Sequence, residues 1–331
     1  MTKRFYAFVL SLTAFAGFLA AQADYRMLSV TEDGKYYKNR LDVTDWKPGE
    51  DFIYLRSYYI PWQGEDSLDY EMRMGNLKIN GKLVGVDLVE NKLSSINDKS
   101  SIVTVQTDPS HFSELSELPN LVALSLVGAK ETDIEKVKEM DSLKALDLAY
   151  TKISDDALMY LKDMNELRVL NLANTEISDR GLKHLSGLTH LRSLDLESTE
   201  VTDSGLEYLK DLKDLKSLNL FQTRAGKAGS LALRGGIPSV SNEGAKQIAT
   251  LGNLSELNLH GAGISDPGVA ELTRLSNLRT LDLGATDITD ASVEYLSKLN
   301  GLRLLDLRGT DISPEGLARL RKALPETEIN Y

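Results

Sequence analysis

The chain has 331 residues, of which 38 are basic, 49 are acidic and 42% are hydrophobic, for a formal net charge of −11. That balance argues against nucleic acid as a partner and against docking on acidic lipid through a basic patch. The absence of cysteine excludes disulfide-closed ends, a thiolate metal site, a thiol nucleophile and a lipid-modified amino-terminal Cys.

Lys3 and Arg4 precede an uncharged run from Phe5 to Ala21, and Ala21-Gln22-Ala23 makes a small-x-small site before Asp24. This pattern predicts a cleaved signal peptide over residues 1–23. An uncleaved anchor needs roughly 20 apolar residues, and the run is shorter and polar at Ser11 and Thr13. No other stretch approaches membrane-spanning length, so the expected mature chain has no membrane span. Losing Lys3 and Arg4 takes its charge from −11 to −13.

Residues 24–82 differ in kind, crowding Tyr25, Tyr36, Tyr37, Trp46, Tyr54, Tyr58, Tyr59, Trp62 and Tyr70 into one stretch without a visible repeat. Leu77-Lys78-Ile79 and Lys82-Leu83-Val84 flank Asn80-Gly81, a two-residue hairpin signal, since both turn positions need positive φ. The stretch reads as a small β-rich cap over the first open end of the core. A glycan or cell-wall binding module, with aromatics stacking on sugar faces, is the alternative. Next, Leu83, Val86, Leu88, Asn91 and Leu93 match half of the repeat described below. A degenerate unit follows, with a strand expected around Ile102, Val103 and Val105, before a fuller one at Leu121, Leu124 and Leu126.

From Leu143 the phrase LxxLxLxx(T/A)x(I/V)(S/T)DxG(L/V) recurs seven times, led by Leu143, Leu167, Leu191, Leu215, Leu254, Leu278 and Leu302. The spacings are 24, 24, 24, 39, 24 and 24, and a period in this range predicts a solenoid. In the unit led by Leu167, Leu170 and Leu172 alternate with Asn171, the period-2 pattern of a short strand. Ile177, Leu182, Leu185 and Leu188 then suit a turn and a helix, with Ser178 or Asp179 as N-cap. The same slot holds Ser154, Thr202, Ser241, Ser265, Thr289 and Ser313, the last followed by Pro314 at the first helical position. No unit can bury its leucines alone; stacking neighbours enclose them in one core.

On Thr175, Ile177, Ser178, Asp179, Gly181 and Leu182 the chain resembles leucine-rich-repeat proteins, specifically the variant whose second half reads I-(S/T)-D-x-G-L. That variant is similar to the repeats of F-box-type leucine-rich proteins and of bacterial exported repeat proteins. The resemblance covers residues 83–331 and implies an α/β fold, a right-handed solenoid or horseshoe with a parallel β-sheet on the concave face and helices on the convex face. It also implies that Thr151, Thr175, Thr199, Thr223, Thr286 and Thr310 fill the slot of the family's Asn or Cys, their hydroxyls bonding the adjoining backbone. Ala129 and Ala262 are the exceptions. Secreted animal members close their ends with cystines, so an exported version without Cys is expected in a bacterium, as a periplasmic, secreted or cell-surface protein.

The step of 39 contains an insertion, residues 225–239, AGKAGSLALRGGIPS. It lacks GxxxxGK(S/T), so a phosphate loop is not expected. Two readings stand, a neutral surface excursion or a binding loop overhanging the concave face. At the far end, residues 318–331 form a closing unit, a last helix stopped at Leu324-Pro325 and a final strand at Ile329.

Between the two core leucines of each strand stand Asp147, Asn171, Asp195, Asn219, Asn258, Asp282 and Asp306, preceded by Ser125 and Asp87 and expected on the inner curve. Near the strand starts runs a basic row, Lys144, Arg168, Arg192, Lys216, Arg279 and Arg303, with Ser255 as the exception. The stripe reads either as a self-satisfied ladder of acids and amides or as the floor of a protein- or peptide-binding groove. Calcium between Asp282 and Asp306 would want six or more oxygens. Further along the strands the side chains vary, and variation within a uniform scaffold is where recognition can reside. The expected partner-binding patch is Asn219, Phe221, Gln222, Asn258, His260 and Asp282, with Asp306, Tyr150 and Asp195 as further contacts.

The four histidines, His111, His184, His190 and His260, share no metal-ligand spacing within one helix, no GxSxG occurs, and the repeated Asp residues have like environments where an acid/base pair needs unlike ones. The sequence therefore predicts a binding protein without catalytic residues, cofactor or metal, its partner a protein or peptide. A glycan bound through 24–82 is the alternative. The F-box resemblance adds a third, a substrate-recognition arm for ubiquitin ligation, against which stand the export signal and the lack of an F-box-like helical segment before the repeats.

Overall fold

The computed structural model describes residues 36–42, 52–55, 58–61, 67–73, 76–79, 82–89, 91–223 and 239–331. The signal segment 1–23 and the 225–239 insertion, save Ser239, lie outside the described residues, and for residues 24–76 only strand backbones are described. Two compact units form. One runs to Val127 and takes in Ser142–Asp147; the other comprises Gly128–Asp141 and Leu148–Tyr331.

The first unit contains β1 (Tyr36–Asp42), β2 (Phe52–Leu55), β3 (Tyr58–Pro61), β4 (Ser67–Arg73), β5 (Asn76–Ile79), β6 (Lys82–Asp87), β7 (Thr104–Thr107), β8 (Ala123–Leu126), β9 (Ala145–Asp147) and the short helix α1 (Phe112–Leu115). Antiparallel pairing in the order β1, β4, β5, β6 gives way to parallel pairing in the order β6, β7, β8, β9. β2 and β3 form a separate antiparallel pair. Ile79 faces Lys82, which leaves a two-residue connection where Asn80-Gly81 signals a hairpin. The parallel strands appear where the leucine pattern begins, and Val86, Leu88, Ile102, Val105 and Leu124 are its buried core.

In the second unit the repeats stack. Strands β10 (Val169–Asn171), β11 (Ser193–Asp195), β12 (Ser217–Asn219), β13 (Glu256–Asn258), β14 (Thr280–Asp282), β15 (Leu304–Asp306) and β16 (Glu328–Asn330) pair in parallel, each with the next. Helices α2 (Glu131–Val137), α3 (Asp155–Leu158), α4 (Asp179–Leu185), α5 (Asp203–Leu206), α6 (Asn242–Ile248), α7 (Asp266–Leu272), α8 (Val293–Leu296) and α9 (Pro314–Ala323) form the opposite layer. Between the layers Leu170, Leu194, Leu218, Leu257, Leu281 and Leu305 stand in register, all essentially inaccessible. Each such leucine contributes roughly 1.5–3 kcal/mol by leaving water. This is the α/β solenoid that the 24-residue period predicts.

The threonine ladder holds as well. The hydroxyls of Thr151, Thr175, Thr199, Thr223, Thr286 and Thr310 each donate to the carbonyl three residues back, at 2.5–3.2 Å. Ser178, Thr202, Ser241, Thr289 and Ser313 cap their helices with the side-chain oxygen, whereas Ser154 and Ser265 make no such bond.

The Asp of I-(S/T)-D-x-G has a role that local sequence does not reveal. Asp155 accepts the backbone N–H and the hydroxyl of Ser178 in the following repeat, at 2.7 and 2.6 Å. Asp179 does the same to Thr202, Asp203 to Ser241, Asp266 to Thr289 and Asp290 to Ser313. Asn242 substitutes by accepting the N–H of Ser265 and donating to its hydroxyl. The Gly of the motif makes room for this latch. A Cβ on Gly181, Gly205, Gly244, Gly268 or Gly316 would come within 3.0 Å of the latch oxygen of the preceding repeat. The two departures from Gly carry their own compensation. Ala157 follows a unit whose latch is the longer Glu131, bonded to Ser154, and Ser292 donates its own hydroxyl to Asp266 at 2.5 Å.

Candidate functional site

Asn171, Asp195, Asn219, Asn258, Asp282 and Asp306 stand side by side at the ends of β10 to β15. In each, Oδ1 accepts the backbone N–H two residues on: Ala173, Glu197, Phe221, His260, Gly284 and Arg308, at 2.8–3.1 Å. This is an Asx turn, in which a short polar side chain replaces a backbone acceptor and bends the chain out of the strand. The following residue takes up the left-handed region, with φ between 51° and 56° at Asn174, Ser198, Gln222 and Ala285, and 71° and 72° at Gly261 and Gly309. Its N–H then donates to the next repeat, for example Ser198 to the Phe221 carbonyl at 2.8 Å and Gln222 to the His260 carbonyl at 3.2 Å. Backbone groups here are spent on the stack, so this face offers a partner side chains.

The ladder residues are consequently far less available than a reading of strand alternation suggests. Asn219 is 0% exposed, and Asn258, Asp195 and Asp306 are buried. Amide-to-acid bonding along the ladder occurs at Asn219, whose Nδ2 donates to Asp195 Oδ1 at 3.0 Å. Asp306 is held by the Arg308 guanidinium, two residues on in its own repeat. That contact, with the Asp306 charge and then that of Asp282, holds the arginine above its ordinary value.

What reaches the surface is the row aimed by the Asx turns. Phe221 and His260 are both half-buried, with ring centroids 5.1 Å apart and planes tilted by 46°. His260 Nδ1 lies 3.3 Å from Asp282 Oδ1, so the structure joins three of the expected patch residues in one line, with Gln222 half-buried at the adjoining turn. Gly284 allows this arrangement, since a Cβ there would strike the His260 ring. Tyr150, 39% exposed at φ 59°, occupies the turn slot three repeats before Gln222 and is not brought to the patch.

Glu197 belongs to the same row and carries a signal that composition could not give. It is 7% exposed, and burial, reinforced by the neighbouring charge of Asp195, pushes its carboxyl up to about 8, against a hydrogen bond from Asn219. Its alternating partners along the row, Ala173 and Phe221, are uncharged. The readable hints to this edge were the recurrent Gly261 and Gly309 one residue beyond it, which mark a positive-φ slot. Among the described residues no three His, Asp or Glu side chains are placed to hold a metal ion, and no helix is long and apolar enough to cross a membrane.

Two family models described as leucine-rich repeat match the chain, one over residues 141–201 and the other over 274–297 and 300–320. None of the curated proteins compared with the chain matches it. Among solved structures, an internalin (inlF) of Listeria monocytogenes aligns with a TM-score of 0.52 at 21% identity, covering 72% of this chain and 64% of that one. An internalin C2 of the same organism aligns at 0.46 and 24% identity over 62% of this chain and 79% of its own. The chain thus spans just under two thirds of the length of the first internalin, and the likeness concerns the fold. The 24-residue period, the leucine register and both family models agree that the repeats of this chain are leucine-rich repeats.

Proposed function

We propose that this chain is a non-enzymatic binding protein, exported from a bacterial cytoplasm by residues 1–23, which recognises a protein or peptide through the sheet face of its repeats. The observation that carries the reading is the Phe221 and His260 pair, half-exposed aromatic rings held 5.1 Å apart by Asx turns and backed by Asp282. A rigid aromatic anchor of this kind binds at low entropic cost, because its position is fixed before a partner arrives. Gln222 extends the contact along the turn edge, Tyr150 offers a separate exposed ring three repeats away, Asn219 and Asn258 accept the Phe221 and His260 N–H groups, and Asp195 and Asp306 continue the ladder on either side.

Site-specific photo-crosslinking tests the reading. A benzoylphenylalanine at position 221 should capture a polypeptide from a bacterial envelope fraction, and the same probe at Tyr208, on the helix side, should not. With that partner in hand, Phe221→Ala and His260→Ala should each weaken binding about tenfold, the loss typical of a central interface residue. Equal capture from both probe positions would refute this face as the binding surface.

A further inference from the structure

The basic row near the strand starts is not uniform in its compensation. Arg168 has an acid two residues earlier, with Nη2 3.4 Å from Glu166. In the units of Arg279 and Arg303 that position holds Asn277 and Gly301. Among the described residues neither arginine is within ion-pair distance of an acid. They are direct neighbours, since the N–H groups of Arg303 and Leu304 both donate to the Arg279 carbonyl, at 2.7 and 3.0 Å. Two like charges on adjacent strands, about 4.8 Å apart, repel by about 1 kcal/mol even in water. Arg279 is nonetheless held in place. Its Nη1 donates to the Leu278 carbonyl at 3.0 Å, and its guanidinium lies against Gly301, where a Cβ would displace it. Arg303 is exposed beside it.

A fixed guanidinium next to a free one, both without an acid, offers the N–H forks by which arginine takes a carboxylate. We propose that Arg279 and Arg303 form the docking point for a carboxylate side chain of an acidic polypeptide partner. The proposal rests on the peptide-binding reading above and names the chemistry the partner brings to one edge of that face. The charge is local, on a chain whose net charge is −11, so an acidic partner is drawn to this edge and repelled from the rest of the surface.

The full chain is titrated with hexaglutamate, with inorganic phosphate as the competing free anion, and melting temperature is followed in parallel. Hexaglutamate should bind the unaltered protein, and Arg303→Gln and Arg279→Gln should each weaken it about fivefold, as loss of one charge-assisted contact does. Arg168→Gln should leave it unchanged. Gly301→Ala keeps every charge but pushes the Arg279 guanidinium aside, and should weaken binding as Arg279→Gln does. Undiminished binding in the Arg279→Gln/Arg303→Gln double variant, or no binding to the unaltered protein, overturns the proposal. So does phosphate that displaces the peptide at equal concentration, which would make the pair a site for a free anion. These outcomes leave crosslinking at position 221 untouched, so failure here and failure of the peptide-binding reading are distinguishable.

Discussion

At the scale of single residues, Glu197 is the group whose environment most changes its chemistry. Its carboxyl, buried beside Asp195, titrates near 8 in the folded chain against 4.5 ordinarily. The folded state therefore keeps a proton that the unfolded chain releases, and stability, complete below about 4.5, is lost as pH rises through about 8. The penalty grows by up to about 1.4 kcal/mol for each pH unit in that window. Glu197→Gln, which cannot ionise, should melt with the unaltered protein at pH 4 and several degrees above it at pH 9, as circular dichroism would record. Equal melting at both values would mean that Glu197 reaches water. Glu197 stands two residues beyond Asp195, where the side chains vary from strand to strand, and no spacing says that this position is covered.

At the scale of elements, what joins one repeat to the next is the pairing of Asp179 with Thr202 and its equivalents, and the glycine that admits it. Asp179→Ala leaves the Thr202 amide and hydroxyl without their acceptor and should cost about 2–3 kcal/mol in chemical denaturation. Asp179→Asn should cost less, because Asn242 serves the same slot with one accepted and one donated bond. Gly205→Ala drives a methyl into the Asp179 carboxylate and should cost about 1–3 kcal/mol, the range for overpacking. Gly205→Ser, though larger, should be the milder change, since Ser292 bonds Asp266 in the equivalent position. A serine as damaging as alanine would show that the site answers to volume alone. The motif letters were legible in the sequence, and the N-cap role of Ser178 and Thr202 could be read from them. The partnership of Asp with the next repeat could not, because its two ends lie 23 residues apart and meet only when the units stack.

At the scale of the molecule, a solenoid gains stability from contacts between neighbouring units, so an insertion is tolerated where its ends already meet. The Ser239 N–H lies 3.5 Å from the Thr223 carbonyl, and the Asp203 latch to Ser241 holds across the longer step. Excising residues 224–238 joins those ends and restores the 24-residue spacing, so the melting temperature should stay within about 2 °C, the shift that a loss of about 1 kcal/mol gives in a chain of this size. A larger fall would assign the segment a structural role. The sequence by itself determined the period, the strand and helix alternation, the buried leucines and the threonine ladder, because each depends on residues within one unit and on a repeat that makes every unit's solution the same. Only the tertiary structure decided that the Asp and Asn stripe turns inward to hold its own backbone, that the rings of Phe221 and His260 meet as a half-buried pair, and that Arg279 and Arg303 stand without an acid. Those outcomes depend on which side chains neighbouring repeats bring together and on how much water they exclude, and no spacing along the chain encodes either quantity.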